Sequence, residues 1–173
     1  MVLKIAFGGK MGAGKDCAVK YCIKKYGGVH LSFAQPIYDI LHYTQKLCGL
    51  EQTKDRKFLQ FIGTEWGRDI DPNMWIKITI KNAPVDQNVF LSDLRFQNEF
   101  DSLKDNGWIC VKLVREQLIS RKGTGDLNHQ SETEIDTIPQ NSWDFIIDNT
   151  ESIKKFYEKL DTLIIKCQAK KQD

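Results

Sequence analysis

Long apolar runs are missing from these 173 residues. None approaches the ~18 residues a membrane-spanning helix needs, so no span is expected. The first residues lack the basic start, long apolar core and small-residue cleavage site of a signal peptide. Histidine is scarce, and the five cysteines (Cys17, Cys22, Cys48, Cys110 and Cys167) are odd in number and form no Cys-x-x-Cys pair. That argues against a disulfide framework and a zinc site, and for reduced thiols in a cytoplasmic compartment. Each cysteine is expected to be a small buried apolar residue. An excess of one charge is also absent: 25 basic against 23 acidic residues leave +2, too balanced for a general nucleic-acid binder. A nucleotide needs only a few cations converging in one cleft, so this balance does not exclude one. There are no internal repeats and no low-complexity tracts. The length suits one domain with a core on both faces of a small sheet.

What is present begins at the N-terminus. The apolar run Val2-Leu3-Lys4-Ile5-Ala6-Phe7 reads as a buried parallel strand, and a helical pattern runs from Asp16 to Tyr26 before Gly27-Gly28. Between them lies Gly9-Lys10-Met11-Gly12-Ala13-Gly14-Lys15-Asp16. Strand, glycine-rich turn and helix are the setting of a phosphate-binding loop. Its glycines let successive N–H groups point at an anion, the helix N-terminus adds partial positive charge, and Lys15 reaches the outer phosphates. Asp16 stands where serine or threonine usually ligates Mg²⁺. The bland alternative is a glycine-rich turn with a surface lysine.

Gly28-Val29-His30-Leu31-Ser32-Phe33 reads as a second strand, and Pro36 opens a helix that runs to Leu47-Cys48-Gly49. Another helix is expected from about Thr53 to Gly67. Asp71-Pro72 reads as the N-cap and first position of a third, which carries Trp75, Ile76 and Ile78-Thr79-Ile80. Three helices in a row interrupt the alternation of strand and helix, as an insertion at the carboxyl edge of a sheet would. Strands then return at Asn88–Ser92, Trp108–Val114 and Phe145–Ile147, with a helix at 96–105. Asn149-Thr150-Glu151 is expected to cap a last helix, whose core face is Ile153, Phe156, Tyr157, Leu160, Leu163, Ile164 and Cys167. The fold class is therefore α/β, a five-stranded doubly wound parallel sheet with ligands at the carboxyl ends of its strands. A core of 1–32, 86–114 and 143–173 would carry an acceptor-binding insertion at 33–85. Polar residues 115–131, with Gly123 and Gly125, would form a lid.

Candidate chemistry gathers at these edges. Asp93 ends the third strand in Phe90-Leu91-Ser92-Asp93-Leu94-Arg95, where an acid can hold Mg²⁺ directly or through water, or else cap the next helix. Arg68 suits bidentate capture of an acceptor phosphate, or an ion pair with Asp69 or Asp71. Trp66 and Phe33 are candidates for stacking on a base or for the core. Arg115, Arg121 and Lys122 are cations of the lid, able to neutralise charge on a transferring phosphoryl group, or simply solvated. His129, with no second histidine nearby, gains no metal or nucleophilic role. Ser131 reads as a helix start, and His30 and His42 read as structural.

Four stretches resemble the deoxynucleoside monophosphate kinases of phages and large DNA viruses, within the P-loop nucleoside monophosphate kinase-like group. They are Gly9–Asp16, Leu31-Ser32-Phe33-Ala34-Gln35-Pro36, Leu59-Gln60-Phe61-Ile62-Gly63-Thr64-Glu65-Trp66-Gly67-Arg68 and Ser92-Asp93-Leu94-Arg95-Phe96-Gln97-Asn98-Glu99. They follow the family's order over about the first 115 residues, and the Gly-Lys-Asp ending is a trait of the group. Gln97 stands where the family more often has proline. Ser131–Asp136 and Trp143–Ile147 are also similar to animal phosphomevalonate kinase, which shares the Gly-Lys-Asp loop and the Ser-Asp-x-Arg strand end.

The resemblance implies ATP and Mg²⁺ as cofactors and phosphoryl transfer to a deoxynucleoside monophosphate. Gly9, Lys10, Gly12, Ala13, Gly14 and Lys15 would hold the donor phosphates. Asp16 and Asp93 would organise the metal, and Asn149 would lie near adenine. Ser32, Phe33, Gln60, Trp66, Arg68, Arg95 and Glu99 would serve the acceptor, with Arg115 and Arg121 closing over the transfer. The partners implied are small molecules, with no membrane or nucleic acid, and the chain is a monomer or homodimer. The rivals are a kinase of another small phosphate, such as a mevalonate phosphate, and an ATP-binding switch that transfers nothing.

Overall fold

A computed structural model describes residues 2–115 and 134–169. The chain divides into two compact units, one of Met1–His30 with Pro84–Asp173 and one of Leu31–Ala83. The first unit is built on strands β1 (Lys4–Gly8), β2 (Val29–Leu31), β3 (Val89–Leu94), β4 (Ile109–Val114) and β5 (Phe145–Asp148). They form one parallel sheet in the order β2-β3-β1-β4-β5. The chain leaves β1 toward β2 on one side and leaves β4 toward β5 on the other. That reversal puts the ligand crevice of such a sheet at the carboxyl ends of β1 and β4.

Alternation along the strands sorts the two faces. Leu3, Ile5 and Phe7 join Val111 and Leu113 on one face, under helix α1 (Lys15–Tyr26) and helix α7 (Ile153–Ala169). From α7, Phe156, Leu160, Leu163, Ile164 and Cys167 are all buried there, each large apolar side chain contributing about 1.5–3 kcal/mol. Ile153, expected in that row, is 54% exposed at the first position of the helix. The other face carries helix α6 (Gln97–Asp105), whose Phe100 meets the Trp143 ring edge-on at 4.9 Å. β1 and β3 lose register between Ala6 and Gly8: Ala6 pairs with Leu91 and Gly8 with Leu94. β3 therefore carries one extra residue at Ser92–Asp93, a bulge of the kind that re-aims a side chain.

The second unit holds helices α2 (Gln35–Leu47), α3 (Arg56–Gln60), α4 (Gly67–Ile70) and α5 (Met74–Lys81). A π-helical segment, Phe61–Trp66, joins α3 to α4. The helix expected from Thr53 begins later, because Asp55 caps it by accepting from the Phe58 N–H at 3.0 Å. Asp71 and Pro72 do not open α5. The Asp71 carboxylate accepts from the Asn73 N–H at 2.9 Å, closing a local turn, and the helix starts at Met74. A similar shift occurs at α7, where Ser152 and not Asn149-Thr150-Glu151 offers the capping oxygen, to the Lys155 N–H at 3.3 Å. All five cysteines are free thiols, but Cys48 is exposed where α2 ends, against the expectation of burial.

Candidate active site

Gly8 ends β1 with no room for a side chain, since a Cβ there would lie 2.6 Å from the Trp143 ring. Gly9 follows at φ +139°, and a Cβ would meet the Leu113 carbonyl oxygen at 2.4 Å. Gly14, at φ +104°, leads into α1, and the first helical bond runs from the Ala18 N–H to the Gly14 carbonyl at 2.9 Å. These positions require glycine, and they turn the chain from the end of β1 into the N-terminus of α1. Lys15, only 8% exposed, folds back so that its ammonium donates to the carbonyls of Gly9 and Lys10, the latter at 2.9 Å. Its charge is thus held within the loop. Ala13 is buried beneath, and its carbonyl accepts from the Asn149 side-chain amide at 2.9 Å. Asn149 is itself 7% exposed, and its backbone N–H bonds the Val114 carbonyl at 2.8 Å. The structure therefore places Asn149 as a prop under the loop.

Asp16 is exposed in the first turn of α1, and Asp93 is half-buried at the β3 bulge, level with Gly8. Among the described residues no three His, Cys, Asp or Glu side chains gather as a metal cage. Two separate carboxylates suit Mg²⁺, which takes one or two from protein and the rest from phosphate and water. The loop and these acids fit a nucleotide with its metal. Ser92, beside Asp93, shares a 2.8 Å hydrogen bond with His30 Nε2, which gives His30 its structural place.

Arg95 is half-buried just past β3 and Arg115 is exposed just past β4. Glu99 is 2% exposed and accepts from the N–H groups of Arg95 and Phe96, at 2.9 and 3.1 Å, so it fixes the turn into α6 that carries Arg95.

In the second unit, Ser32 accepts from the Ala34 N–H at 3.1 Å and Phe33 is buried. Gln60 ends α3 exposed, Trp66 ends the π segment 45% exposed, and Arg68 is half-buried on α4. Asp71, a rival partner for Arg68, takes Lys77 at 2.6 Å. That contact, with the Asn73 N–H, holds the Asp71 carboxyl below its usual pKa. Trp75 on α5 shapes the π segment, donating from its indole to the Gly63 carbonyl at 2.9 Å. Arg121, Lys122, His129 and Ser131 lie outside the described residues.

One group near the loop carries no site role in the sequence reading. Asp136 sits 2.7 Å from Lys10 and 3.5 Å from Lys112. The signal was Lys112 itself, a lysine in the otherwise apolar β4.

This sheet order, with a glycine-built anion loop between β1 and α1, defines the P-loop nucleotide-binding fold. Shikimate kinase from Acinetobacter baumannii, solved with shikimate, shares it at a TM-score of 0.58 and 14% identity, over 96% of this chain and 94% of that one. At that identity the likeness is one of fold. No family model matches the chain. A "Putative deoxynucleotide monophosphate kinase" of Acanthamoeba polyphaga mimivirus is 30% identical over 191 aligned positions, covering 92% of this chain and 94% of the relative. The chain belongs to that protein's family. ORF77 of Ictalurid herpesvirus 1, an uncharacterized protein, is 38% identical over 141 positions, and this chain spans 58% of its length. ORF76 of the same virus is 28% identical, with 56% of its length spanned. Among the described residues no helix is long and apolar enough to cross a membrane.

Proposed function

We propose that this protein transfers the γ-phosphoryl group of ATP to the phosphate of a deoxynucleoside 5′-monophosphate, giving a diphosphate for DNA precursor synthesis. The observation that carries the reading is the Gly9–Lys15 loop, with its lysine held inside a cradle that admits no side chain at Gly9 or Gly14. The family relationship to the mimivirus protein supports a kinase of a small phosphate.

In the proposed reaction an oxygen of the acceptor phosphate forms the new bond to the γ-phosphorus, and the bond to the β,γ-bridging oxygen breaks to release ADP. The attacking oxygen is already anionic, so no strong general base is required, and positioning with charge stabilisation supplies the catalysis. Loop N–H groups and Lys15 hold the donor phosphates. Asp16, at the start of α1, and Asp93, at the bulge, would hold Mg²⁺, whose chemistry is to neutralise the bridging and terminal phosphate oxygens. Arg95, fixed by the Glu99 cap, and Arg68 grip the acceptor phosphate, and Gln60 and Trp66 serve its sugar and base. Arg115 closes over the transfer, and the sequence assigns Arg121 the same part.

The deciding experiment offers ATP-Mg²⁺ with dTMP, dGMP, dCMP and phosphomevalonate in turn and reads the phosphorylated product. A deoxynucleoside diphosphate is expected. Product only from phosphomevalonate would move the chain to the rival kinase reading, and ATP binding with no product from any acceptor would favour a switch. Within the same assay, Arg68→Ala should raise the acceptor's apparent KM about tenfold or more while leaving that of ATP nearly unchanged. Equal effects on both would remove Arg68 from the acceptor site.

A further inference from the structure

Asp136 stands against the logic of an anion-binding loop. One carboxylate oxygen lies 2.7 Å from the ammonium of Lys10, a loop residue, in a pair exposed by 58% and 45%. A carboxylate there repels an incoming phosphate and competes with it for Lys10. The second oxygen faces Lys112 at 3.5 Å, and the Lys112 side chain is only 11% exposed. Lys112 pairs in register with Gly8, directly beneath the loop, and its ammonium lies 5.9 Å from the centre of the Trp143 ring that packs on Gly8. Burying an ammonium is unfavourable without a counter-charge, so a lysine kept at this point of β4 needs a reason.

We propose that Lys112 is a positioning residue for donor binding, acting through Asp136. By sharing that carboxylate it offsets the negative charge at the loop and weakens its hold on Lys10. Lys10 then turns to the donor phosphates when they arrive. Ile135, fully buried, and Glu134, which accepts from the Gln97 N–H at 3.0 Å, fix the short 3-10 turn Glu134–Asp136 that presents the carboxylate. The arrangement is a lysine on the strand, an acid on the 3-10 turn and a second lysine on the loop, with the acid shared between the two.

The inference rests on the loop being the donor site, so its test reads binding of ATP-Mg²⁺ without any acceptor, and includes Lys15→Ala to check the loop. Lys112→Met should weaken ATP binding roughly two- to fivefold, the range a partly exposed ion pair supports. Asp136→Asn, at an exposed position that leaves folding intact, should bind ATP at least as tightly as the unaltered chain. Combined with Lys112→Met it should restore affinity to within about twofold. A merely structural lysine gives no such rescue. Unchanged binding by Lys112→Met, a double variant as weak as the single, or weaker binding by Asp136→Asn would each overturn the proposal. If Lys112→Met does not fold, the Asp136→Asn result alone decides. ATP binding that survives Lys15→Ala unchanged would instead overturn the donor-site reading beneath it.

Discussion

The indole N–H of Trp75 donates to the carbonyl oxygen of Gly63 at 2.9 Å, across eleven intervening residues and out of contact with solvent. The same ring fills the space beside Gly67, where a Cβ would lie 2.4 Å from it. In the π segment the Gly67 N–H bonds the Ile62 carbonyl, one residue further back than in an α-helix. Trp75 therefore braces this segment from the side. Trp66 ends this segment and Arg68 lies in the first turn of α4 just beyond it, so the brace sets where they stand.

Trp75→Phe keeps most of the ring and removes the donor, leaving a buried carbonyl unmatched. The expected cost is about 1–3 kcal/mol in denaturant unfolding. If the segment returns to α-helical register, the apparent KM for the acceptor should rise while that for ATP stays put. A variant with unaltered stability and unaltered acceptor KM would show that the π register holds without its brace.

Asn149 does comparable work under the phosphate loop. Its side-chain amide is the buried donor to the Ala13 carbonyl, and it fills the space a Cβ at Gly14 would need, 2.5 Å away. Asn149→Ala should cost about 1–3 kcal/mol and weaken ATP binding. Asn149→Asp should do worse, since it sets a carboxylate against a carbonyl beside an anion site. Gly14→Ala should also lower ATP affinity, through strain at φ +104°. Isothermal titration with ATP-Mg²⁺ reads all three, and equal affinities across the set would refute the role of Asn149 as a prop.

These two braces mark where sequence reading stops. The strands were legible because Ile5–Phe7, Val89–Leu91 and Ile109–Val111 are apolar runs that suit a sheet covered on both faces. Gly9–Lys15 was legible because its glycines and lysine are close in sequence, where the motif needs them. Trp75 to Gly63, Asn149 to Ala13 and Asp136 to both Lys10 and Lys112 join residues far apart in sequence, and no periodicity encodes such a pair. Local competition misled the reading elsewhere. Asp71 spends its carboxylate on Asn73 and Lys77 and does not cap α5, while Glu99, three residues into its helix region, reaches back to the N–H groups of Arg95 and Phe96. Cysteine is usually buried, yet Cys48 stands exposed at the C-cap of α2.

The cysteines make a chemical ruler of these differences. Burial pushes the Cys22 and Cys110 thiols up to about 12, with Asp161 and Asp144 respectively adding to the effect. Both should resist alkylation at pH ~8, because the thiolate is the reactive form. Cys48 should react first, the half-buried Cys17 more slowly, and Cys22, Cys110 and Cys167 only on unfolding. Peptide mapping after timed iodoacetamide exposure checks the order. Early labelling of Cys22 or Cys110 would mean that α1 or β4 opens far more readily than its packing implies.

Acid should act through Asp161. This residue of α7 accepts from Tyr26 at 2.6 Å, Tyr21 at 2.8 Å and Lys25 at 2.7 Å, tying α7 to the last turns of α1. Burial alone would raise its carboxyl, but the hydrogen bonds from Lys25, Tyr26 and Tyr21 outweigh it and hold the pKa below that of a free aspartate. The unfolded chain thus takes up this proton first as pH falls. The stability from Asp161 is full above the ordinary aspartate range, near pH ~4, and is lost as pH drops through the lower folded value. At the alkaline end Lys25, raised chiefly by its bond to the same carboxylate, contributes below the ordinary lysine pKa and ceases to do so above its raised one. Asp161→Asn should therefore lower the urea midpoint at neutral pH and show a shallower decline in acid than the unaltered chain. Midpoints that run parallel for the two proteins from neutral pH into acid would place the acid sensitivity elsewhere in the fold.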